Sequence, residues 1–362
     1  MNLMNEIGGG FWLSEDYLKE CLSQNENHIV FHSQEEQHLS TCRSGLRKIA
    51  SLFQGKGVLI PIFTCGTVVD AFAEYGCKII PYKINGIDLS IDWEDVKEKV
   101  LILRPSLIIF HTYFGYPTVD NPSMISWIRE QGIKIVDDIT CSLLSLFTRI
   151  ESDFVVGSIR KWFPLPDGGL LVGTRVDISS DGFDDELVHA KLKAFLTKDA
   201  YLSGADIPKT EMLRLFQEAI SILNSRTEAF SMSPVSDALI TEDAINIARS
   251  KRRENYNRLH DIIEDIPYVH MPLGKADQTI VPYMLPIIVS DRSSLQSYLA
   301  SHDVYATVLW TKPECIMEEC KLYESILCFP VSQEYDTSHM EFVGDLLKTF
   351  YADMDENHKK YE

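Results

Sequence analysis

Short apolar runs alternate with amphipathic ones from about residue 40 to residue 175, and the alternation predicts most of the fold. Residues 41–53 place apolar side chains at helical spacing, 57–62 form a continuous apolar run that suits a buried strand, and 66–75 are helical again. The same reading gives strands at 77–82, 107–111, 133–136, 154–157 and 169–172, with helices at 92–99 and 122–130 between them. Strands and helices alternating at this spacing predict βαβ units in an α/β fold, with a mainly parallel sheet covered on both faces. In such sheets ligands bind beyond the carboxyl ends of the strands, so those ends are where chemistry is to be sought.

After residue 180 helices dominate, at 184–196, 209–223 and 241–263, with a loop at 201–208. Strands over VPYMLPIIV and SILCFPV, a helix at 293–301 and a closing helix at 341–351 complete the chain. The cluster Lys251, Arg252 and Arg253 reads as a solvated helix face. The expected division is a large domain with an N-terminal arm over 1–240 and a small C-terminal domain over 241–362.

Composition narrows the function classes. With 362 residues and 45% hydrophobic content the chain can build one large core and a smaller one. A net charge of -19 argues against nucleic-acid binding, which needs clustered cations, but leaves room for an anionic small ligand held by a few local ones. The first twenty residues carry no basic stretch followed by an apolar one, so no secretory signal is expected. The apolar segment 100–114 is broken by Arg104 and Pro105, and no membrane span is expected either. Eight cysteines without a CxxC pair or nearby zinc-spaced histidines read as reduced thiols of a cytoplasmic protein without a structural metal.

P-loop, GxGxxG, HExxH and GxSxG patterns are all missing. An ordered set of polar residues stands at the strand ends instead. Asp137 and Asp138 come after the run IKIV; a carboxylate there can keep a heteroaromatic nitrogen protonated, or it can cap the next turn. Ser158 and Lys161 come after DFVVG. A lysine at a strand end, flanked by Trp162 and Phe163 and fixed by Pro164, Pro166, Gly168 and Gly169, suits an imine-forming amine, although it also suits a surface residue beside Arg160. Thr41, Cys42, Arg43, Ser44 and Gly45 open a helix and can cradle a phosphate or simply cap that helix.

Taken in order, the segments IGGGFWL, TCRSGLRKIA, VLIPIFTCGTVVDAF, IIFHTYFGYP, KIVDDITCSL, SIRKWFPLPDGG and LCFPVSQEY resemble the DegT/DnrJ/EryC1/StrS sugar aminotransferases. These are fold-type I enzymes dependent on pyridoxal 5'-phosphate. The resemblance implies that Lys161 is the Schiff-base lysine and that Asp138, rather than Asp137, pairs with the pyridine nitrogen. It places Ser158, Thr41, Cys42, Arg43 and Ser44 around the phosphate, and His111 within the cofactor-binding set. Cys65 stands where the family usually stacks an aromatic ring, and Cys141 where it has Gln or His. The family's Asn-Tyr-Arg motif after the lysine is not found. The implied function is transfer of an amino group from glutamate to a nucleotide-linked keto-sugar in polysaccharide biosynthesis, by a homodimer. Decarboxylation, retro-aldol or carbon–sulfur cleavage on the same cofactor, or a binding role without turnover, are the competing expectations. For Trp310 the favoured reading is small-domain core.

Overall fold

The computed structural model describes residues 6–23, 29–33 and 35–359. Its strands are β1 (Ile7–Gly8), β2 (Gln37–Leu39), β3 (Gly57–Pro61), β4 (Lys78–Tyr82), β5 (Leu107–His111), β6 (Lys134–Asp138), β7 (Phe154–Gly157), β8 (Gly169–Val172), β9 (Met284–Ile288), β10 (Val304–Tyr305) and β11 (Ile326–Pro330). Seven of them form the main sheet in the order β2-β8-β7-β6-β5-β3-β4. The β3–β4, β3–β5, β5–β6 and β6–β7 pairs are parallel, whereas β8 runs antiparallel to both β7 and β2. All five residues of β5 are buried, as expected of a central strand covered by helices on both faces.

The elements form where local chemistry favours them. Thr41 caps the helix Cys42–Leu52 and Asp92 caps Trp93–Leu103 through hydrogen bonds to the first-turn N–H groups. Asn121 caps Pro122–Glu130, whose proline sits in the first turn, where a missing N–H is harmless. The apolar segment 100–114 divides as its breakers suggest. Val100 to Leu103 end a helix, Arg104 turns into the left-handed region at φ 44°, and β5 begins at Leu107.

The second half packs β9 antiparallel to β11, with the helices Glu242–Ile263 and Thr337–Lys359 against one another. The chain's start joins this part, because β1 pairs in parallel with β10. β1, β2 and β10 have no signature in the hydrophobic pattern, since two- and three-residue strands are too short to show a period. The helices Glu15–Ser23, Pro234–Leu239 and Leu322–Ser325 are further additions to the pattern. Arg252 corrects the reading of its basic cluster: it is 1% exposed and stacks over the Trp162 ring at 4.7 Å. No described helix is long and apolar enough to cross a membrane.

Candidate active site

The carboxyl ends of β3, β5, β6 and β7 surround one cleft, and residues at or just beyond those ends form its walls. β6 ends in Asp137 and Asp138, and the alternation of a strand sends the two carboxylates opposite ways. Asp138 enters the cleft wall. Its Oδ2 lies 3.1 Å from His111 Nδ1, and its Oδ1 accepts the Thr140 N–H at 3.0 Å. His111 stands in register beside it on β5, with its Nε2 2.6 Å from Thr64 Oγ1. Burial pushes the Asp138 carboxyl up, but the bonds from His111 and Thr140 outweigh burial and hold it below its ordinary value. Asp137 is outside the cleft wall, accepting the Thr112 hydroxyl at 3.3 Å and lying 4.0 Å from Arg149. Burial pushes it up to about 6 against the pull of Arg149.

β7 leads into Ser158 and a single turn, Ile159–Lys161. The turn is held from beneath, since Ile159 and Trp162 are fully buried and Trp162 Nε1 donates to the Thr140 carbonyl at 2.8 Å. The apolar flank that singled out this lysine in the sequence is therefore its anchor. Lys161 lines the cleft, and its Nζ has no hydrogen bond or ion pair among the described residues. Burial opposes charge on this amine, while Tyr283, Cys141 and Cys65 draw it up, and the net direction is upward.

Across the cleft, Thr41 Oγ1 accepts the Ser44 N–H at 3.2 Å, which leaves the N–H groups of Cys42 and Arg43 without helical partners. Gly169 makes this approach possible, because a Cβ there would fall 2.3 Å from Cys42 N. Thr41, Cys42 and Arg43 line the cleft, whereas Ser44 does not. Ser44 is buried behind Thr41, its hydroxyl 3.1 Å from Thr41 Oγ1, so it serves the cap and not the wall. Cys65, Cys141 and Ser158 also line the cleft. Burial pushes the Cys42 and Cys141 thiols up to about 12, so both are neutral near pH 7.

Trp310 packs against the core as expected, and it also reaches the cleft. It is half-buried in the cleft wall, its ring 6.2 Å from that of His111 and 5.0 Å from that of Phe63. Thr67, Tyr113, Thr140 and Arg160 join the wall as well. Thr140 and Arg160 were within reach of the sequence, each being a neighbour of a chosen residue. Trp310 comes from far along the chain, and no local pattern marks its contact.

An unpartnered amine, an ionised carboxylate, and a helix start with hydroxyls and a guanidinium thus converge on one cleft. Among the lining residues Asp138 is the single acid, beside Arg43, Arg160 and Lys161. This donor set fits a phosphorylated heteroaromatic aldehyde: amine for aldehyde, carboxylate for ring nitrogen, helix start for phosphate.

No protein-family model matches the chain. The serine hydroxymethyltransferase of Methanothermobacter marburgensis is 26% identical over 185 residues, covering 48% of this chain and 42% of that protein. The chain thus matches less than half of this curated relative's length. Among solved structures, Helicobacter pylori PseC, an aminotransferase involved in the biosynthesis of pseudoaminic acid, superposes with a TM-score of 0.67 at 15% identity, covering 96% of this chain and all of that one (100%). DesI, crystallised in the presence of its TDP-sugar product, gives 0.68 at 16% identity over 99% of this chain and 96% of its own. A DegT DnrJ EryC1 StrS aminotransferase from Brucella abortus gives 0.61 at 13% identity, with 95% and 92% covered. Through nearly its whole length, the chain has the fold of the DegT DnrJ EryC1 StrS aminotransferases.

Proposed function

We propose that the protein is a pyridoxal 5'-phosphate-dependent aminotransferase that moves an amino group from glutamate to a nucleotide-linked keto-sugar. The observation that carries this reading is the unpartnered Lys161 amine in the same cleft as an Asp138 carboxylate kept ionised by His111 and Thr140. Pyridoxal 5'-phosphate supplies an electron sink and a carrier for the amino group. Lys161 would hold the cofactor through its Nζ, and the same amine, when free, would take the proton that the donor α-carbon gives up and pass it on rather than return it. Asp138 would supply the negative charge that a ring nitrogen needs to stay protonated, and its bonds to His111 and Thr140 hold that carboxylate in place. Thr41, Cys42 and Arg43, with Ser158, receive the phosphate; Ser158 is buried and its hydroxyl has no partner among the described residues. Trp310 and His111 bring aromatic rings into a cleft where Cys65 brings none.

The keto-sugar acceptor is supported by the shared fold with PseC and DesI and by the sequence resemblance. The test is spectroscopic and then kinetic. Protein reconstituted with the cofactor should show visible absorbance that Lys161→Ala abolishes, and glutamate alone should convert the wild-type spectrum to that of the aminated cofactor. A protein that stays colourless with added cofactor overturns the reading. A coloured protein that glutamate leaves unchanged points to one of the other reactions this cofactor supports.

A further inference from the structure

A second cavity, of about 410 Å³, adjoins the cleft and shares Arg160 and Lys161 with it. Phe11, Trp12, Phe195 and Phe216 give it an aromatic wall. Its charged side is unusual for an acidic protein. Lys191, on the helix Asp185–Leu202, lines it at 7% exposure, and its ammonium has no hydrogen bond or ion pair among the described residues. Arg160 Nε is buried and equally unpartnered. Burial first, and then repulsion from Arg160, pushes Lys191 down to about 8. Arg252 also lines the cavity, but it is engaged by Gln333 and by the carbonyls of Tyr283 and Trp162. Glu334 is the single acid in the lining.

Buried cations without partners are costly, and two that repel one another across a common space are more so. Evolution of a stable core would pair or remove them; a site for an anion retains them. We propose that this cavity is a substrate carboxylate site, in which Arg160 and Lys191 clamp a carboxylate directly beside Lys161. The inference rests on the assignment of Lys161 as the cofactor-bonding residue, because that assignment puts the carboxylate next to the reacting carbon. A planar guanidinium and a point-charge ammonium suit the two oxygens of a carboxylate. The carboxylate belongs either to the amino donor or to an acidic sugar acceptor, with the aromatic wall taking the rest of the molecule.

Titration calorimetry of the cofactor-loaded protein with glutarate and with glucuronate, neither of which carries an amino group to transfer, separates these sources. Glutarate binding points to the donor, glucuronate binding alone to the acceptor. Lys191→Met should weaken the binding about ten- to a hundredfold, and Lys191→Arg should largely preserve it. Affinity should fall as the pH rises through about 8, where Lys191 loses its proton. The other groups facing the cavity are Arg160, Lys161, Arg252, Tyr283, Glu334 and Tyr335. Amine labelling of the wild type near pH 8, mapped to Lys191 by mass spectrometry, gives a second readout independent of any variant's folding, and the bound anion should protect that residue. Binding of neither anion, an unchanged affinity in Lys191→Met, or labelling unaffected by the anion overturns the proposal. Visible absorbance of the cofactor, recorded on the same samples, tells the two failures apart: a coloured protein that binds neither anion sinks the carboxylate site alone.

Discussion

His111 Nδ1 lies 3.1 Å from Asp138 Oδ2 across adjacent, in-register strands, and the same imidazole reaches Thr64 Oγ1 with its other nitrogen. Removing the ring in His111→Ala leaves two buried oxygens short of a partner, and a loss of about 1–3 kcal/mol is expected. Asp138 sits below its ordinary value in the fold, so its contribution to stability is present above the unfolded carboxyl value and disappears as the pH falls through the folded one. Without His111 the carboxyl is held down less, so the acid-side loss that this group contributes should shrink. Urea denaturation of both proteins from pH 7 down to pH 3 shows whether the two curves approach one another in this way.

Asp137 predicts the opposite slope. Its carboxyl is raised to about 6 by burial, so the stability it permits is full below the unfolded value near 3.8 and declines as the pH rises through about 6. Asp137→Asn removes that decline. Relative to wild type, the variant should gain up to about 3 kcal/mol on going from pH 4 to pH 7. An equal difference at the two pH values would show that the carboxyl is not raised.

Gly169 fixes the distance between β8 and the start of the helix Cys42–Leu52. The added methyl of Gly169→Ala would meet Cys42 N and Thr41 C, each at 2.3 Å, and backbone atoms cannot step aside as a side-chain end can. The expected cost is about 1–3 kcal/mol, together with weaker retention of the cofactor's phosphate. Thermal melting with and without added cofactor measures both effects, and the gap between the two melts should shrink.

Arg252 joins the helix Glu242–Ile263 to the cleft-forming turn by donating to the Trp162 and Tyr283 carbonyls and to Gln333. Arg252→Met keeps the aliphatic stem against Trp162 but removes those donors. A loss of about 2–4 kcal/mol is expected. Denaturant titration followed by tryptophan fluorescence reports it directly.

The parallel sheet was legible because its strands are continuous apolar runs buried on both faces, and β5, β7 and β8 begin and end where the pattern places them. Lys161 and Asp138 were legible because parallel strands bring their carboxyl ends, and the loops attached there, to one edge of the sheet. The choice between Asp137 and Asp138 was not contained in the pattern alone, since two adjacent acids differ only in the face they take. Arg252 was misread, and the place of Trp310 in the cleft wall was not legible, for a common reason. A charged residue in a polar-looking helix, and an aromatic in an isolated segment, reveal their partners only when distant parts of the chain meet.

The pairing of β1 with β10 has a consequence for how the protein comes to be made. Ile7 finds its strand partner in Val304, 297 positions further along, while Gly8 to Trp12 beside it wall the second cavity. Residues made 297 positions ahead of their strand partner thus settle late, and the long closure they await carries an entropic cost the sheet strands do not share. A nascent chain that has completed its main sheet still lacks β10, the partner that holds this wall in place.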